Sequence, residues 1–171
     1  MPVRHYDIPN QARFLTFSCY RRRPLLGAAP LRDRFVAHLG TARLRLDFKL
    51  HAWVVMPDHV HLIVLPNDGT ITPVLRALKQ GFSREVLMEW RGSNDRRLEL
   101  AVVTDTESRF WQRGGGYDRN IRSSDELLRH TEYIHANPVR RGLVERPEDW
   151  VWSSYRAWHG LESTLHPDQL R

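Results

Sequence analysis

Residues 50–65 read LHAWVVMPDHVHLIVL, two apolar runs on either side of Met56-Pro57-Asp58. Apolar runs this short, rich in β-branched residues and broken by a proline-bearing turn, are strands. The turn joins them as a tight hairpin of two buried strands. Upstream, residues 13–20 (RFLTFSCY) have the same character and end in the Arg21-Arg22-Arg23-Pro24 turn, which predicts a first strand. Between these strands, Leu31, Phe35, Leu39 and Leu46 keep rough helical spacing from Pro30 to about Leu46.

Downstream, Leu75, Leu78, Phe82, Val86 and Leu87 recur every three or four residues, predicting one amphipathic helix over residues 71–90. Residues 92–97 (GSNDRR) are loop-like, and residues 98–103 suggest a short strand. Residues 110–121, interrupted by Gly114-Gly115-Gly116, suggest strand and loop. Ser124 resembles an N-cap residue, and acidic residues follow it in the first turn. Leu127, Leu128, Tyr133 and Ile134 then carry a helix expected to stop near Pro138. The resulting order (strand, helix, strand, strand, helix, strand, helix) predicts an α+β fold, a ferredoxin-like antiparallel or mixed sheet covered by helices. Residues 1–171 are expected to form one domain, with no internal repeat.

Composition narrows the functional classes. At 41% hydrophobic residues the chain is not of the disordered type. Twenty-six Lys and Arg against 20 Asp and Glu give +6 and a pI near 10.1, which suits a polyanionic partner. Only Lys49 and Lys79 are lysines, so the positive charge is nearly all guanidinium, whose planar fork pairs with phosphate and stacks on bases. A single cysteine, Cys19, rules out an internal disulfide and a cysteine-built zinc site. Residues 1–10 lack an apolar signal core, and no stretch approaches the ~18 apolar residues of a membrane span, so a cytoplasmic address is expected.

Residues two apart on a strand project from the same face, so His59 and His61 present two imidazoles side by side, a grip for a divalent metal. Hydrogen-bonded core histidines would give the same pattern. Tyr133 and Asn137 are four apart on the last helix and share a face, whereas His135 points elsewhere. An amide oxygen from Asn137 would complete a site that suits Mg²⁺ or Mn²⁺, with His130 as a rival ligand or base. A lone tyrosine is ordinarily a half-buried core aromatic, and Tyr117 and Tyr155 compete with Tyr133 for any special role.

Three motifs in order now give a resemblance. WVVMPDHVHLIV (residues 53–64) resembles the histidine pair of HUH endonucleases. YIHANPVRRGLV (133–144) with DWVWSSY (149–155) resembles the single-tyrosine HUH transposases, particularly the REP-associated tyrosine transposases. FWQRGGGYDRNIR (110–122) resembles the stretch ahead of their tyrosine helix. The likeness runs from about Leu50 to Trp158. It implies the ferredoxin-like fold, His59 and His61 as metal ligands, and Tyr133 as a nucleophile that forms a 5′-phosphotyrosine while single-stranded DNA is cut and rejoined. Insertion-sequence members often place Gln where this chain has the shorter Asn137. The resemblance also implies imperfect palindromic hairpins as substrate and a monomer or homodimer associated with the nucleoid. Arg21, Arg22, Arg23, Arg119, Arg122, Arg140 and Arg141 are the expected phosphate contacts. Two other readings compete: a noncatalytic module that binds single-stranded nucleic acid, and a metal-dependent nuclease that activates water.

Overall fold

A computed structural model describes residues 7–104 and 106–168. The first six residues of the amino-terminal segment therefore lie outside the description. Four strands form one sheet: β1 (Arg13–Cys19), β2 (Lys49–Val55), β3 (His59–Leu65) and β4 (Trp111–Asn120), in the spatial order β2-β3-β1-β4. Every pairing is antiparallel. Helix α1 (Ala29–Leu46) links β1 to β2, and α2 (Thr72–Arg76), a π turn (Ala77–Gly81) and α3 (Phe82–Gly92) follow β3. The short α4 (Arg97–Ala101) precedes β4, and α5 (Ser124–Arg140) and the short α6 (Tyr155–Trp158) complete the chain. This is the ferredoxin-like α+β arrangement expected from the sequence.

Alternation along the strands divides the core in two. Leu15, Phe17, Val60, Leu62 and Val64 face α1 and α3, where they meet Phe35, Leu39, Phe82 and Trp90. Phe14, Ala52, Val54 and Ile63 face the other way, against Leu127 and Ile134 of α5 and Trp150. His59 and His61 share this second face with α5, and the fold thereby brings Tyr133 and Asn137 to the histidines. In the first core, Phe35 is fully buried, with its ring edge-on to those of Phe82 and Trp111 at 4.9 and 5.8 Å. Phe35→Ala is expected to cost about 3–5 kcal/mol, seen as an earlier urea midpoint with an unchanged slope.

Four local expectations change. The single helix over 71–90 is three consecutive helical pieces, because the chain takes a π turn at Ala77–Gly81. Residues 98–103 do not form a strand: Asp95 accepts hydrogen bonds from the backbone N–H and the guanidinium of Arg97, and starts a helical turn there instead. The triple glycine does not break β4 into strand and loop. Phe17 pairs with Gly116 while Cys19 pairs with Trp111, so the surplus residues bulge out and the strand runs on. At Gly116 a Cβ would lie 2.9 Å from the Thr16 carbonyl oxygen, so only glycine lets β4 pair this closely.

The last helix begins one residue early and ends two residues late. Ser123, not Ser124, is the N-cap: its Oγ accepts from the Glu126 N–H, and the Glu126 carboxylate reaches back to the Arg122 N–H. Pro138 sits inside the final turn, which continues to Arg140 because the Asn137 carbonyl still accepts from the Arg141 N–H. Asn137 is therefore held in the helix rather than displaced by the proline after it. Beyond α5, the carboxyl-terminal segment covers the outer edge of β2. The Val55 N–H donates to Trp152, the Ser154 N–H to Trp53 and the Asp168 N–H to Leu50.

Candidate metal and nucleophile site

His59 and His61 are both buried, and their Nε2 atoms face one another at 3.0 Å. That is about the separation of two neighbouring nitrogens each ~2.1 Å from one ion. The other nitrogen of each ring is already engaged. His59 Nδ1–H donates to Asp58 Oδ1 at 2.7 Å, which fixes the tautomer and leaves a lone pair on Nε2. His61 Nδ1 lies 2.7 Å from Thr16 Oγ1, a contact set by the strand register that places Thr16 opposite His61. Burial, assisted by the charge of Arg22, holds the His61 imidazole down to about 3, so it is neutral and able to ligate at physiological pH.

Asn137 is buried, with Nδ2 3.2 Å from His61 Nε2. Turning its amide over brings Oδ1 to the same point. Among the described residues no three His, Cys, Asp or Glu side chains gather as a metal cage. Two imidazoles and one amide are thus the donors that converge here. This donor set, with the outer nitrogens anchored by Asp58 and Thr16, fits a divalent cation.

Tyr133 stands at the rim. Its ring lies edge-on to His61 at 5.5 Å and to Phe14 at 6.0 Å. The Arg140 guanidinium lies over it, 5.4 Å from the ring centre. Thr16, Arg22, His59, His61, Tyr133, Asn137, Arg140 and Arg141 together line a cleft of about 360 Å³. His130 lies outside this lining. It stacks on Phe14 at 4.5 Å while His61 stacks on Phe14 at 5.6 Å, so the phenylalanine contacts both imidazoles.

The arginines divide. Arg22, in the turn after β1, and Arg141, just past the end of α5, come at Asp58, each at 3.7 Å, and remain more than half exposed. Burial alone would raise the Asp58 carboxyl. The hydrogen bond from His59 and the charges of Arg141 and Arg22 outweigh that, so it is held below its ordinary value and stays ionised. Arg23 turns away to the carbonyls of Glu99 and Leu100, Arg21 lies over the Tyr20 ring, and Arg119 pairs with Glu126. Arg122 lines a separate hollow beside the start of α5.

His135 leaves the site, as its position on the helix required. Its Nε2 is 2.9 Å from Ser154 Oγ, and its ring meets Tyr155 and Trp158. Burial, then the charge of His159, holds it down to about 4. Unfolded, it takes up a proton near 6.5, so between pH 6.5 and 4 the unfolded chain binds more protons than the folded one. Stability present above pH 6.5 should therefore be lost on acidification to about pH 4, by an amount on the order of 3 kcal/mol. Denaturant midpoints against pH check this, with a smaller acid loss expected in His135→Gln.

Sequence reasoning did not identify Asp58, Thr16 or Phe14 as site residues. Asp58 carried a signal, being next to His59. Thr16 and Phe14 carried one only through alternation on β1, and it becomes readable once the β1–β3 register is known.

Comparison with known proteins places these features in company. The family described as "Transposase IS200 like" matches residues 11–137. A Haemophilus influenzae protein whose name places it among the REP-associated tyrosine transposases is 33% identical over 123 residues, 71% of this chain and 65% of that protein. The Escherichia coli K12 REP-associated tyrosine transposase is 28% identical over 154 residues, 89% of this chain and 81% of its own length. Among solved structures, a REP-associated tyrosine transposase bound to a REP hairpin superposes with a TM-score of 0.67 at 22% identity, covering 100% of this chain and 99% of that one. A Deinococcus radiodurans protein described as a transposase gives 0.51 at 17% identity, over 77% and 95% of the two chains. At these identities the structural likenesses speak for the fold. Among the described residues, no helix is long and apolar enough to cross a membrane.

Proposed function

The chain belongs to the IS200-like transposase family, and from that premise we propose that it nicks and rejoins single-stranded DNA, with Tyr133 as the nucleophile. The observation that carries the reading is the cleft itself. A rim tyrosine, two converging imidazoles and three arginines meet across elements far apart in sequence. Residues 1–171 act as one domain, and the substrate is an unpaired strand attached to a palindromic hairpin. Its setting is the cytoplasm, at the nucleoid, and the working unit is a monomer or homodimer.

His59, His61 and Asn137 would hold a divalent cation, Mg²⁺ or Mn²⁺, which would supply Lewis-acid polarisation of the scissile phosphate. Arg22, Arg140 and Arg141 hold the phosphate's flanks by charge-assisted hydrogen bonds, Arg22 and Arg141 from positions 3.7 Å from Asp58. The Tyr133 oxygen attacks phosphorus, losing its proton. The new O–P bond replaces the P–O3′ bond, and the departing 3′ oxygen leaves protonated. Because the 5′-phosphotyrosine conserves one phosphodiester bond, attack by a 3′-OH in reverse rejoins a strand without ATP.

A denaturing gel of wild-type protein with single-stranded hairpin DNA from beside its own gene tests this. A protein–DNA band that requires Mn²⁺ and vanishes with EDTA is expected. Cleavage without that band would indicate the water-activating nuclease, and binding without cleavage the noncatalytic module.

A further inference from the structure

Among the described residues only two Phe, Tyr or Trp side chains are exposed, Tyr117 at 47% and Tyr133 at 39%. Both rings lie edge-on to the same ring, Phe14, at 5.7 and 6.0 Å. Tyr117 belongs to the row that ends at the candidate metal site. His61 pairs with Thr16 on β1, and Thr16 pairs with Tyr117 on β4, so the three side chains project from one face. Arg119, two residues further along β4 on the same face, is itself held by Glu126 at 2.7 Å. β4 is the outer strand, so no neighbouring strand covers Tyr117. A ring that is exposed and packed edge-on against Phe14, close to the cleft, contributes little to the core, yet it presents a flat face to solvent.

We propose that Tyr117 is a stacking subsite for an unpaired nucleobase of the strand whose phosphate occupies the cleft; this rests on the reading of the cleft as a DNA-cutting site. Two strand spacings separate Tyr117 from His61, about 10 Å, a span of roughly three stacked nucleotides or fewer splayed ones. A base within that reach of the scissile phosphate lies over the tyrosine. Stacking accepts any base, so the subsite anchors the strand without reading its sequence. The Arg119–Glu126 pair flanks this platform rather than acting as a phosphate contact.

Binding of a single-stranded oligothymidylate carrying one 2-aminopurine, moved through successive positions, tests the subsite by anisotropy and by quenching of the analogue. Wild type should quench the fluorescence most at one position. Tyr117→Ala should bind roughly 5- to 150-fold more weakly and lose that quenching, whereas Tyr117→Phe keeps both. Unchanged affinity and quenching in Tyr117→Ala overturn the subsite alone. Equal losses in Ala and Phe also overturn it, since the hydroxyl would then be what matters. Wild-type protein that binds the oligonucleotide without preferential quenching at any position overturns the subsite, and wild-type protein that binds neither the oligonucleotide nor the hairpin DNA overturns both the subsite and the reading of the cleft. An adduct that survives Tyr133→Phe and disappears when Tyr117→Phe is added would make Tyr117 a nucleophile and contradict the stacking role.

Discussion

Tyr133→Phe should abolish the covalent protein–DNA band and lower strand cleavage by at least ~10⁴-fold, while DNA binding and stability stay close to wild type. Removing the nucleophile of a covalent mechanism leaves only the contribution of binding and electrostatics, and losses of this order follow where the attacking atom is deleted. The substitution is mild for the fold. Among the described residues the Tyr133 hydroxyl has no hydrogen-bond partner, and the ring contacts with Phe14, His61 and Arg140 persist in phenylalanine. A surface change of this kind shifts stability by about 0.5 kcal/mol or less. Retained binding with lost chemistry separates this result from misfolding.

The second large effect is on the histidine pair. His59→Ala and His61→Ala should each weaken Mn²⁺ binding, read by titration calorimetry, by more than ~100-fold and remove cleavage. Loss of an outer-shell partner alone typically weakens a metal site 10–100-fold, and direct donors count for more. Thr16→Val provides the graded case. It keeps the shape of the side chain but deletes the hydroxyl 2.7 Å from His61 Nδ1, so Mn²⁺ affinity should fall by about 10- to 100-fold with the sheet intact. Mn²⁺ affinity unchanged in all three variants would remove the histidines from the metal site.

Much of this was legible in the chain because two periodicities carried it. The hairpin at 50–65 and the strand at 13–20 were readable as apolar runs, and the helix reaching Leu46 by its spacing. They carried the α+β class, whereas the strand order β2-β3-β1-β4 comes only from the assembled sheet. The pairing of Tyr133 with Asn137, and the exclusion of His135, followed from one helical turn. What was not legible depended on geometry without a local signature. The π turn in the 71–90 helix leaves the apolar spacing nearly unchanged, and the helical turn at residues 97–101 was decided by the Asp95 side chain rather than by hydrophobicity. Arginines are alike in sequence, so nothing distinguished Arg22 and Arg141, which turn toward Asp58, from Arg23 and Arg119, which are spent on a helix end and on Glu126. The role of Tyr117 was hidden for a related reason: its exposure depends on β4 being an outer strand, which only the assembled sheet determines.

The most direct test of the account is to digest the Mn²⁺-dependent protein–DNA product with trypsin and nuclease and sequence the modified peptide by mass spectrometry. The account predicts the peptide of residues 130–140, HTEYIHANPVR, with a nucleotide joined through its 5′ phosphate to Tyr133. A nucleotide on any other residue, or DNA cut with no modified peptide, would contradict it.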